Sequence, residues 1–311
     1  MARFPLLPFF AAALASACAA PEPQLAPEPV AAAPAATPAK VLTFRELLQR
    51  PRGTADARIP YGADPLQFVD LWRPAGPGPH PVVVVIHGGC WRADLPGVEL
   101  TDYMAEDLRR RGIAVWNVEY RRVGHPGGAY PGTFQDVGAA IDLLRAEAPR
   151  RGLKLDRVVA VGHSAGGHLA LWAAGRSRLP AASPLRASNP LPIHAVVGLS
   201  AIPDLEAYGG DPADACGADT VEKLLGPARP GRYADTSPVE LLPLGVPQVI
   251  VHGELERISP PSVGRAWVAK ASAAGDRAEL VVAPGAGHFE PIAPGAPAWE
   301  DVARRIEGLL R

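Results

Sequence analysis

The sequence predicts an α/β fold in which helices cover both faces of a mostly parallel, doubly wound sheet. Short β-branched runs alternate with longer helical patterns from residue 41 onward, and such alternation favours parallel pairing through right-handed crossovers. Residues 81–86 (PVVVVI) are continuously apolar, as in a strand buried on both faces. Ligand sites in such sheets lie beyond the carboxyl ends of the strands. We therefore expect functional motifs at that edge.

The predicted elements follow in order along the chain. Residues 67–72 alternate apolar and polar side chains, which predicts an antiparallel N-terminal strand with one solvent-exposed face. The further predicted strands are 81–86, 114–120, 157–161, 193–199, 248–251 and 278–282. The predicted helices are 101–111, 133–148, 164–175, 260–274 and 297–310. Residues 204–236, rich in Gly, Pro, Asp and Ala, predict a small lid-like excursion with a short helical piece at 221–225.

The first forty residues differ from the rest. Residues 1–20 predict a signal peptide, with Arg3 before an uncharged apolar stretch that is too short for an ordinary transmembrane helix. Cys18 follows small residues as in a bacterial lipobox, although Leu14 is one place too far upstream, so lipidation and plain signal-peptidase cleavage both stay open. Residues 21–40 hold six prolines and many alanines, which predicts an extended linker to a catalytic domain at 41–311. We expect an exported protein, either periplasmic or anchored as a lipoprotein.

The charge balance limits the classes of partner that we expect the protein to bind. The formal net charge is −1, and no run of five or six basic residues occurs. We therefore expect no nucleic-acid partner, and membrane contact only through the possible N-terminal lipid anchor.

The three cysteines are Cys18, Cys90 and Cys216, and no Cys–His spacing typical of a metal site is present. If Cys18 is lipidated or removed, Cys90 and Cys216 remain as an even pair in an oxidising compartment. A bridge between them would stabilise the fold by roughly 4–5 kcal/mol in the chain-entropy account. Two free thiols stay open as the alternative.

The strongest motif is Gly162-His163-Ser164-Ala165-Gly166, which follows a predicted strand and begins a predicted helix. This context is that of the nucleophile elbow, in which glycines permit a sharp strand-to-helix turn. The turn exposes the serine hydroxyl, and the helix N-terminus places backbone N–H groups close by. Ser164 is therefore the candidate nucleophile.

A second motif, His87-Gly88-Gly89-Cys90-Trp91, follows the most hydrophobic strand. Acyl transfer generates an oxyanion that positioned N–H donors stabilise, and a Gly-Gly loop brings main-chain amides close without obstruction. We expect the oxyanion hole to be formed by the amides of Gly89, Cys90 and Ala165. His87, Gly88 and Trp91 support the motif, as Gly162, His163 and Gly166 support the elbow.

With both motifs in place, the chain resembles the α/β-hydrolase esterases. HGGxW followed about 75 residues later by GxSxG is similar to the group of small esterases, arylformamidases and feruloyl-esterase-like domains. Residues 116–122 (WNVEYRR), Tyr130-Pro131 and Asp136 also resemble the segment this group carries between the motifs. The resemblance runs from about residue 65 to the C-terminus. It implies a Ser–acid–His triad, no cofactor, and hydrolysis of esters or amides.

The candidate general base is His288, in a Gly-rich loop (PGAGHFE) after the last apolar strand. An imidazole there can accept the Ser164 proton and return it to the leaving group.

The candidate acid departs from the family pattern. Residues 251–260 (VHGELERISP) resemble HGxxDxxVP, but Glu256 occupies the aspartate position. Glutamate is an accepted triad member, and the chain order Ser164, Glu256, His288 agrees with this fold. Glu254 and, more remotely, Asp204 stay open as alternatives.

These residues predict a serine hydrolase that cleaves small-molecule carboxylic esters through an acyl-enzyme on Ser164. An arylformamidase-like amidase is the runner-up, because that group shares the HGGxW motif. A non-catalytic binding lipoprotein on the same fold is the third alternative. The glutamate at position 256 is the one feature of the sequence that favours it.

Overall fold

An eight-stranded sheet organises the part of the chain that this computed structural model describes, namely Met1 and residues 40–209, 215–217 and 219–311. The chain divides into two units, Met1–Pro38 and Ala39–Arg311, and the described elements belong to the second. The predicted signal peptide and linker, including Cys18, lie outside the described residues except for Met1 and Lys40.

The sheet is mostly parallel, with antiparallel strands at its N-terminal end. Its spatial order is β1-β2-β4-β3-β5-β6-β7-β8, and only the β1–β2 and β2–β4 pairs within it run antiparallel. The strands are β1 Ala57–Pro60, β2 Phe68–Trp72, β3 His80–Ile86, β4 Ala114–Val118, β5 Leu153–His163, β6 Ala195–Leu199, β7 Gln248–Gly253 and β8 Ala278–Ala283. The predicted fold class is confirmed.

Helices connect the strands close to the predicted positions. The α-helices are α1 Phe44–Leu48, α2 Asp102–Arg110, α3 Gly132–Arg151, α4 Ala165–Ala174, α5 Leu205–Gly209, α6 Thr220–Leu225, α7 Pro261–Ala273 and α8 Pro297–Leu309. Short 3-10 helices span Val98–Leu100, Arg176–Arg178, Pro238–Leu241 and Glu290–Ile292. The excursion at 204–236 carries α5 and α6, and the predicted helical piece lies within α6.

Two hydrophobic layers cover the sheet because side chains alternate along each strand. On one face, Val82 and Val84 of β3 pack in the layer that contains side chains of α3, α4 and α7. On the other face, Val83 and Val85 pack in the layer that contains side chains of α1, α2 and α8. All four valines are fully buried, and each such burial stabilises the fold by roughly 1.5–3 kcal/mol. The continuous apolar run of β3 thus reflects helices on both faces.

The carboxyl ends of the parallel strands position the predicted motifs. His87 directly follows β3, Ser164 directly follows β5, and Glu256 lies three residues beyond β7. His288 lies in the loop after β8. Because these strands run in parallel, their loops emerge at one edge of the sheet.

Candidate active site

Ser164 lies in a strained turn between β5 and α4. Its backbone angles are φ 55° and ψ −119°, a region that side chains other than glycine rarely adopt. Its backbone N–H donates to the carbonyl of Leu199 at 2.8 Å, which ties the turn to the end of β6. This is the backbone geometry expected of a serine at a nucleophile elbow.

The glycines of this motif are required by close backbone approach. A Cβ added to Gly162 would lie 2.1 Å from the carbonyl oxygen of Gly166. A Cβ on Gly166 would lie 2.1 Å from the carbonyl oxygen of Ile86 and 2.4 Å from that of His87. The first turn of α4 therefore packs directly against the end of β3, where the HGGCW loop (residues 87–91) begins.

His288 and Glu256 form a buried hydrogen-bonded pair. Nδ1 of His288 lies 2.6 Å from Oε2 of Glu256, and the glutamate side chain is fully buried. The imidazole is 9% exposed. Among the described residues, no hydrogen bond joins the Ser164 hydroxyl to His288; such bonds are often long before substrate binds.

Three further donors fix the Glu256 carboxylate. Ser200 Oγ donates to Oε2 at 2.8 Å, while the backbone N–H groups of Ile258 and Ser259 donate to Oε1 at 2.6 and 3.1 Å. Burial alone would raise the pKa of Glu256, but its hydrogen bonds and the His288 imidazole outweigh burial and lower the pKa to about 2. The carboxylate is therefore ionised at neutral pH.

The two alternative acids have other partners. Glu254 accepts a hydrogen bond from the backbone N–H of Gly285 at 2.9 Å. Asp204 accepts from Lys270 Nζ at 2.7 Å and from the Ala207 N–H at 3.1 Å. Only Glu256, among the three candidates, contacts His288.

His163 connects the Ser164 turn to the His288 loop. Its Nε2 lies 2.9 Å from the backbone carbonyl of His288, and the two rings lie 4.5 Å apart. Because a carbonyl only accepts, Nε2 carries the proton. Burial, reinforced by His288, lowers the pKa of His163 to about 3, so His163 is a neutral support for His288.

The HGGCW loop lies against Ser164. A Cβ on Gly88 would lie 2.9 Å from the His163 carbonyl oxygen and 3.2 Å from the Ser164 Cβ. Gly89, Cys90 and Trp91 have φ values of 100°, 49° and 54°. Among the described residues, no protein acceptor binds the backbone N–H of Gly89 or of Cys90. Both backbone amides are therefore free of a protein acceptor in the described part of the chain, and their assignment to an oxyanion hole stays a prediction.

A network behind the loop fixes its first residue. The His87 ring stacks on Tyr120 at 4.3 Å, and the Tyr120 hydroxyl donates to the His87 carbonyl at 2.9 Å. His87 Nε2 lies 3.0 Å from Oε1 of the buried Glu119. Burial tends to raise the pKa of Glu119, but His87 and Arg122 outweigh it and lower the pKa to about 2.

Trp91 joins the loop to the excursion through one histidine. Its indole Nε1 donates to Nδ1 of His168 at 3.1 Å, so the other ring nitrogen of His168 carries the proton and donates to the Thr236 carbonyl at 2.8 Å. Burial lowers the pKa of His168 to about 4. The neutral tautomer that this chain of bonds requires is therefore the stable form.

A disulfide makes a second connection between the same two regions. Cys90 and Cys216 are joined with their Cα atoms 5.5 Å apart, across a sequence separation of 126. The carbonyl of Cys216 also accepts a hydrogen bond from Arg92 Nη1 at 3.2 Å. Of the two alternatives that the sequence left open, the structure contains the bridge.

Sequence reasoning missed Ser200 and the contacts that Glu119 makes with His87 and that His168 makes with Trp91 and Thr236. Ser200 is a single serine after β6, 56 positions before Glu256, and no local pattern marks it.

In the described ranges, no group of three or more His, Cys, Asp or Glu side chains could hold a metal ion. None of the described helices is long and apolar enough to cross a membrane.

Comparisons with known proteins place this site in a family. The BD-FAE family model matches residues 69–270. Esterase LipC of Mycobacterium tuberculosis is 27% identical over 250 residues, covering 77% of this chain and 60% of that protein. The "Probable isoprenylcysteine alpha-carbonyl methylesterase ICMEL1" of Arabidopsis thaliana is 31% identical over 114 residues, covering 36% of this chain and 23% of that protein. The chain thus spans less than two thirds of either relative.

Solved structures show the same fold. Esterase 2 of Thermogutta terrifontis superposes with a TM-score of 0.68 at 22% identity, covering 82% of this chain and 93% of that one. The family match extends over more than half of the chain and includes both the HGGCW loop and Ser164. This chain therefore belongs to the BD-FAE family of α/β-hydrolase esterases.

Proposed function

We propose that this protein is a serine hydrolase that cleaves carboxylic esters through an acyl-enzyme on Ser164. The observation that carries the proposal is the 2.6 Å hydrogen bond between buried Glu256 and His288, in the loops beside a serine at positive φ. Nucleophile, base and orienting acid are the three groups that this chemistry requires. The names of both relatives, an esterase and a methylesterase, support ester hydrolysis here.

The first half of the reaction forms the acyl-enzyme. Nε2 of His288 accepts the hydroxyl proton as Ser164 Oγ attacks the ester carbonyl carbon. Negative charge then develops on the carbonyl oxygen, and the backbone N–H groups of Gly89, Cys90 and Ala165 stabilise it. When the intermediate collapses, the bond to the alcohol oxygen breaks and His288 donates its proton to that leaving group.

Water completes the cycle. His288 accepts a proton from water, the resulting hydroxide attacks the acyl carbon, and the proton returns to Ser164 Oγ as the carboxylic acid leaves. Glu256 stays ionised throughout because its pKa is lowered to about 2. It holds Nδ1–H of His288 and stabilises the imidazolium that forms in each half-reaction.

Active-site labelling tests the proposal directly. A fluorophosphonate probe should label the folded wild-type protein, and Ser164→Ala should neither be labelled nor hydrolyse short p-nitrophenyl esters. Absence of labelling in the folded wild type would favour the non-catalytic binding role. A panel of acyl esters and N-formyl aromatic amines, assayed side by side, separates the esterase from the arylformamidase-like alternative.

We also propose that the chain is exported and carries a lipid on Cys18, which rests on residues 1–40 of the sequence alone. In a bacterial host, labelled palmitate should enter the wild-type protein but not Cys18→Ser. Cleavage of the signal without incorporation of lipid would instead support ordinary export to the periplasm.

A further inference from the structure

We propose that Cys216 is a positioning residue for ester hydrolysis, because its disulfide holds Cys90 in the conformation that an oxyanion donor needs. The inference rests on the proposed function. Turnover should therefore require the oxidised protein, because the bond that orients the Cys90 amide is a disulfide.

The backbone at Cys90 needs an external restraint. Gly89, Cys90 and Trp91 are three consecutive residues at positive φ. Glycine tolerates this region, but each of the other two residues costs about 1–3 kcal/mol there and persists only where its surroundings impose the conformation. The loop would therefore relax if those surroundings were removed.

Hydrogen bonds fix the residues on either side of Cys90. The Trp91 carbonyl accepts from the Val123 N–H at 2.8 Å, and the Trp91 indole donates to His168 at 3.1 Å. The Gly89 carbonyl accepts from the Arg92 N–H at 2.9 Å. The backbone of Cys90 makes no hydrogen bond within the described ranges of the chain. Its side-chain disulfide is therefore the restraint that acts on Cys90 itself.

The other end of the disulfide is firmly anchored. Cys216 is 2% exposed, and its carbonyl accepts from Thr220 Oγ1 at 2.7 Å and from Arg92 at 3.2 Å. Thr220 begins α6, whose Leu224 carbonyl accepts from the Tyr130 N–H at 2.8 Å. The bridge thus joins the HGGCW loop to a residue that is hydrogen-bonded to the start of α6, and α6 is in turn hydrogen-bonded to Tyr130.

Loss of the bridge should affect the chemical step more than substrate binding. The oxyanion exists only after attack by Ser164, so a misdirected Cys90 amide lowers kcat and leaves KM nearly unchanged. Losing one oxyanion donor completely costs about 10²–10³ in turnover. Because the amide would be loosened rather than removed, we expect kcat to fall about 10- to 100-fold.

Reduction of the native protein makes the same change without a mutation. Dithiothreitol donates two electrons and two protons, the S–S bond breaks into two thiols, and dithiothreitol becomes its cyclic disulfide. Two additional free thiols per chain should appear, and reoxidation should restore kcat.

The experiment compares Cys216→Ser with wild type before reduction, after reduction and after reoxidation, all below the unfolding temperature of each sample. Cys216 is the informative position, since substituting Cys90 would alter the donor residue itself. Val302→Ala is the matched control, because Val302 is buried on the opposite face of the sheet and its loss should lower stability without changing kcat.

The expected result is the same fall in kcat for Cys216→Ser and for reduced wild type, with KM within about threefold and no effect of dithiothreitol on the variant. Wild-type kcat in the folded variant, or in fully reduced wild type, would overturn the inference. If Cys216→Ser does not fold, the reduced wild type still decides the question. Failure of the proposed function is distinguishable, because oxidised wild type would then resist fluorophosphonate labelling.

Discussion

Glu256 holds His288 through a 2.6 Å hydrogen bond between Oε2 and Nδ1, and the glutamate side chain is fully buried. The related sequence pattern has aspartate at this position, which is one methylene shorter. The longer side chain is accommodated because Ile258 and Ser259 bind the second carboxylate oxygen through their backbone N–H groups. The loop after β7 has thus formed a binding site for the whole carboxylate.

Substitution of Glu256 should therefore be severe. We expect Glu256→Gln to lower kcat/KM by about 10³–10⁴, since an amide cannot stabilise the imidazolium and favours the wrong tautomer. Glu256→Asp should lose less, about 10- to 100-fold, because the charge remains but the reach to His288 is shortened. Steady-state hydrolysis of p-nitrophenyl butyrate measures both. Glu254→Gln is the control, and its kcat/KM should stay within about twofold of wild type. A large loss in that variant would instead identify Glu254 as the acid.

Ser200 should contribute through Glu256 rather than through substrate. Ser200→Ala removes a 2.8 Å charge-assisted hydrogen bond to Oε2, which is worth about 1.5–3 kcal/mol. We expect kcat to fall about tenfold with KM unchanged, and the pKa of Glu256 to rise toward its ordinary value because a hydrogen bond that lowers it is lost. In a pH–rate profile, the acid limb of the variant should lie at higher pH than that of wild type, because the Glu256 carboxylate is then protonated at higher pH. Ser200→Gly also lacks the hydroxyl but suits the positive φ of 46° at this position, so it should lose as much rate as Ser200→Ala. A wild-type rate in Ser200→Gly would assign the loss in Ser200→Ala to packing rather than to the hydrogen bond.

The sequence predicted the sheet and the residues at its carboxyl edge because those features depend on local patterns. The apolar run of β3 and the glycines around Ser164 are short-range consequences of burial and close backbone approach. In contrast, Ser200 acts on a residue 56 positions away, which no local pattern encodes. The three cysteines leave an even pair only if Cys18 is lipidated or removed, and a count carries no information about whether Cys90 and Cys216 lie together.

Short or partly exposed elements were also missed, for physical reasons. Strand β5 begins at Leu153 rather than at the predicted 157, because the exposed Lys154 and Asp156 interrupt the apolar run. Leu153 and Lys154 nevertheless pair with β3, and an irregularity separates them from the pairing that resumes at Val158. Helix α1 has only five residues, and β1 only four. The one usable signal for α1 was its Thr43–Glu46 capping box, in which each residue's side chain binds the other's backbone N–H.

Gly88 should be intolerant of even one methyl group. In Gly88→Ala the new Cβ would lie 2.9 Å from the His163 carbonyl oxygen and 3.2 Å from the Ser164 Cβ, so the HGGCW loop must move away from Ser164. We expect the unfolding free energy to fall by about 1–3 kcal/mol and kcat to fall at least tenfold through displaced oxyanion donors. Denaturant unfolding and steady-state kinetics measure the two effects.

Gly308→Ala is the matched control for this substitution. Gly308 lies in α8, and nothing is within 4 Å of a Cβ built there. Alanine favours helix over glycine by about 1 kcal/mol, so this variant should be slightly stabilised with wild-type kcat. If Gly88→Ala behaved in the same way, the tight contact between the loop and Ser164 would be refuted.

Three buried histidines should make the fold sensitive to acid. Burial lowers the pKa of His163 to about 3, and of His168 and His252 to about 4. Each ordinarily titrates near 6.5 when exposed, so between pH 4 and 6.5 the unfolded chain binds more protons than the folded one. Their stabilising contribution is complete above pH 6.5 and is lost as the pH falls through this window. Burial raises the pKa of Asp102 to about 7, which acts in the opposite direction and offsets about one proton.

The net difference is about two protons, so the unfolding free energy should fall by roughly 3 kcal/mol per pH unit between pH 6 and 4.5. Denaturant titrations at a series of pH values measure this slope, and a flat profile would contradict the neutral, buried state of the histidines.

His252→Asn tests the contribution of one of these histidines separately. Nδ1 of His252 donates to the Ser259 carbonyl at 2.6 Å, a bond that an asparagine amide can replace without titrating. Although the smaller side chain lowers stability at every pH, the slope should decrease by about 1.4 kcal/mol per pH unit, because one fewer proton is taken up on unfolding.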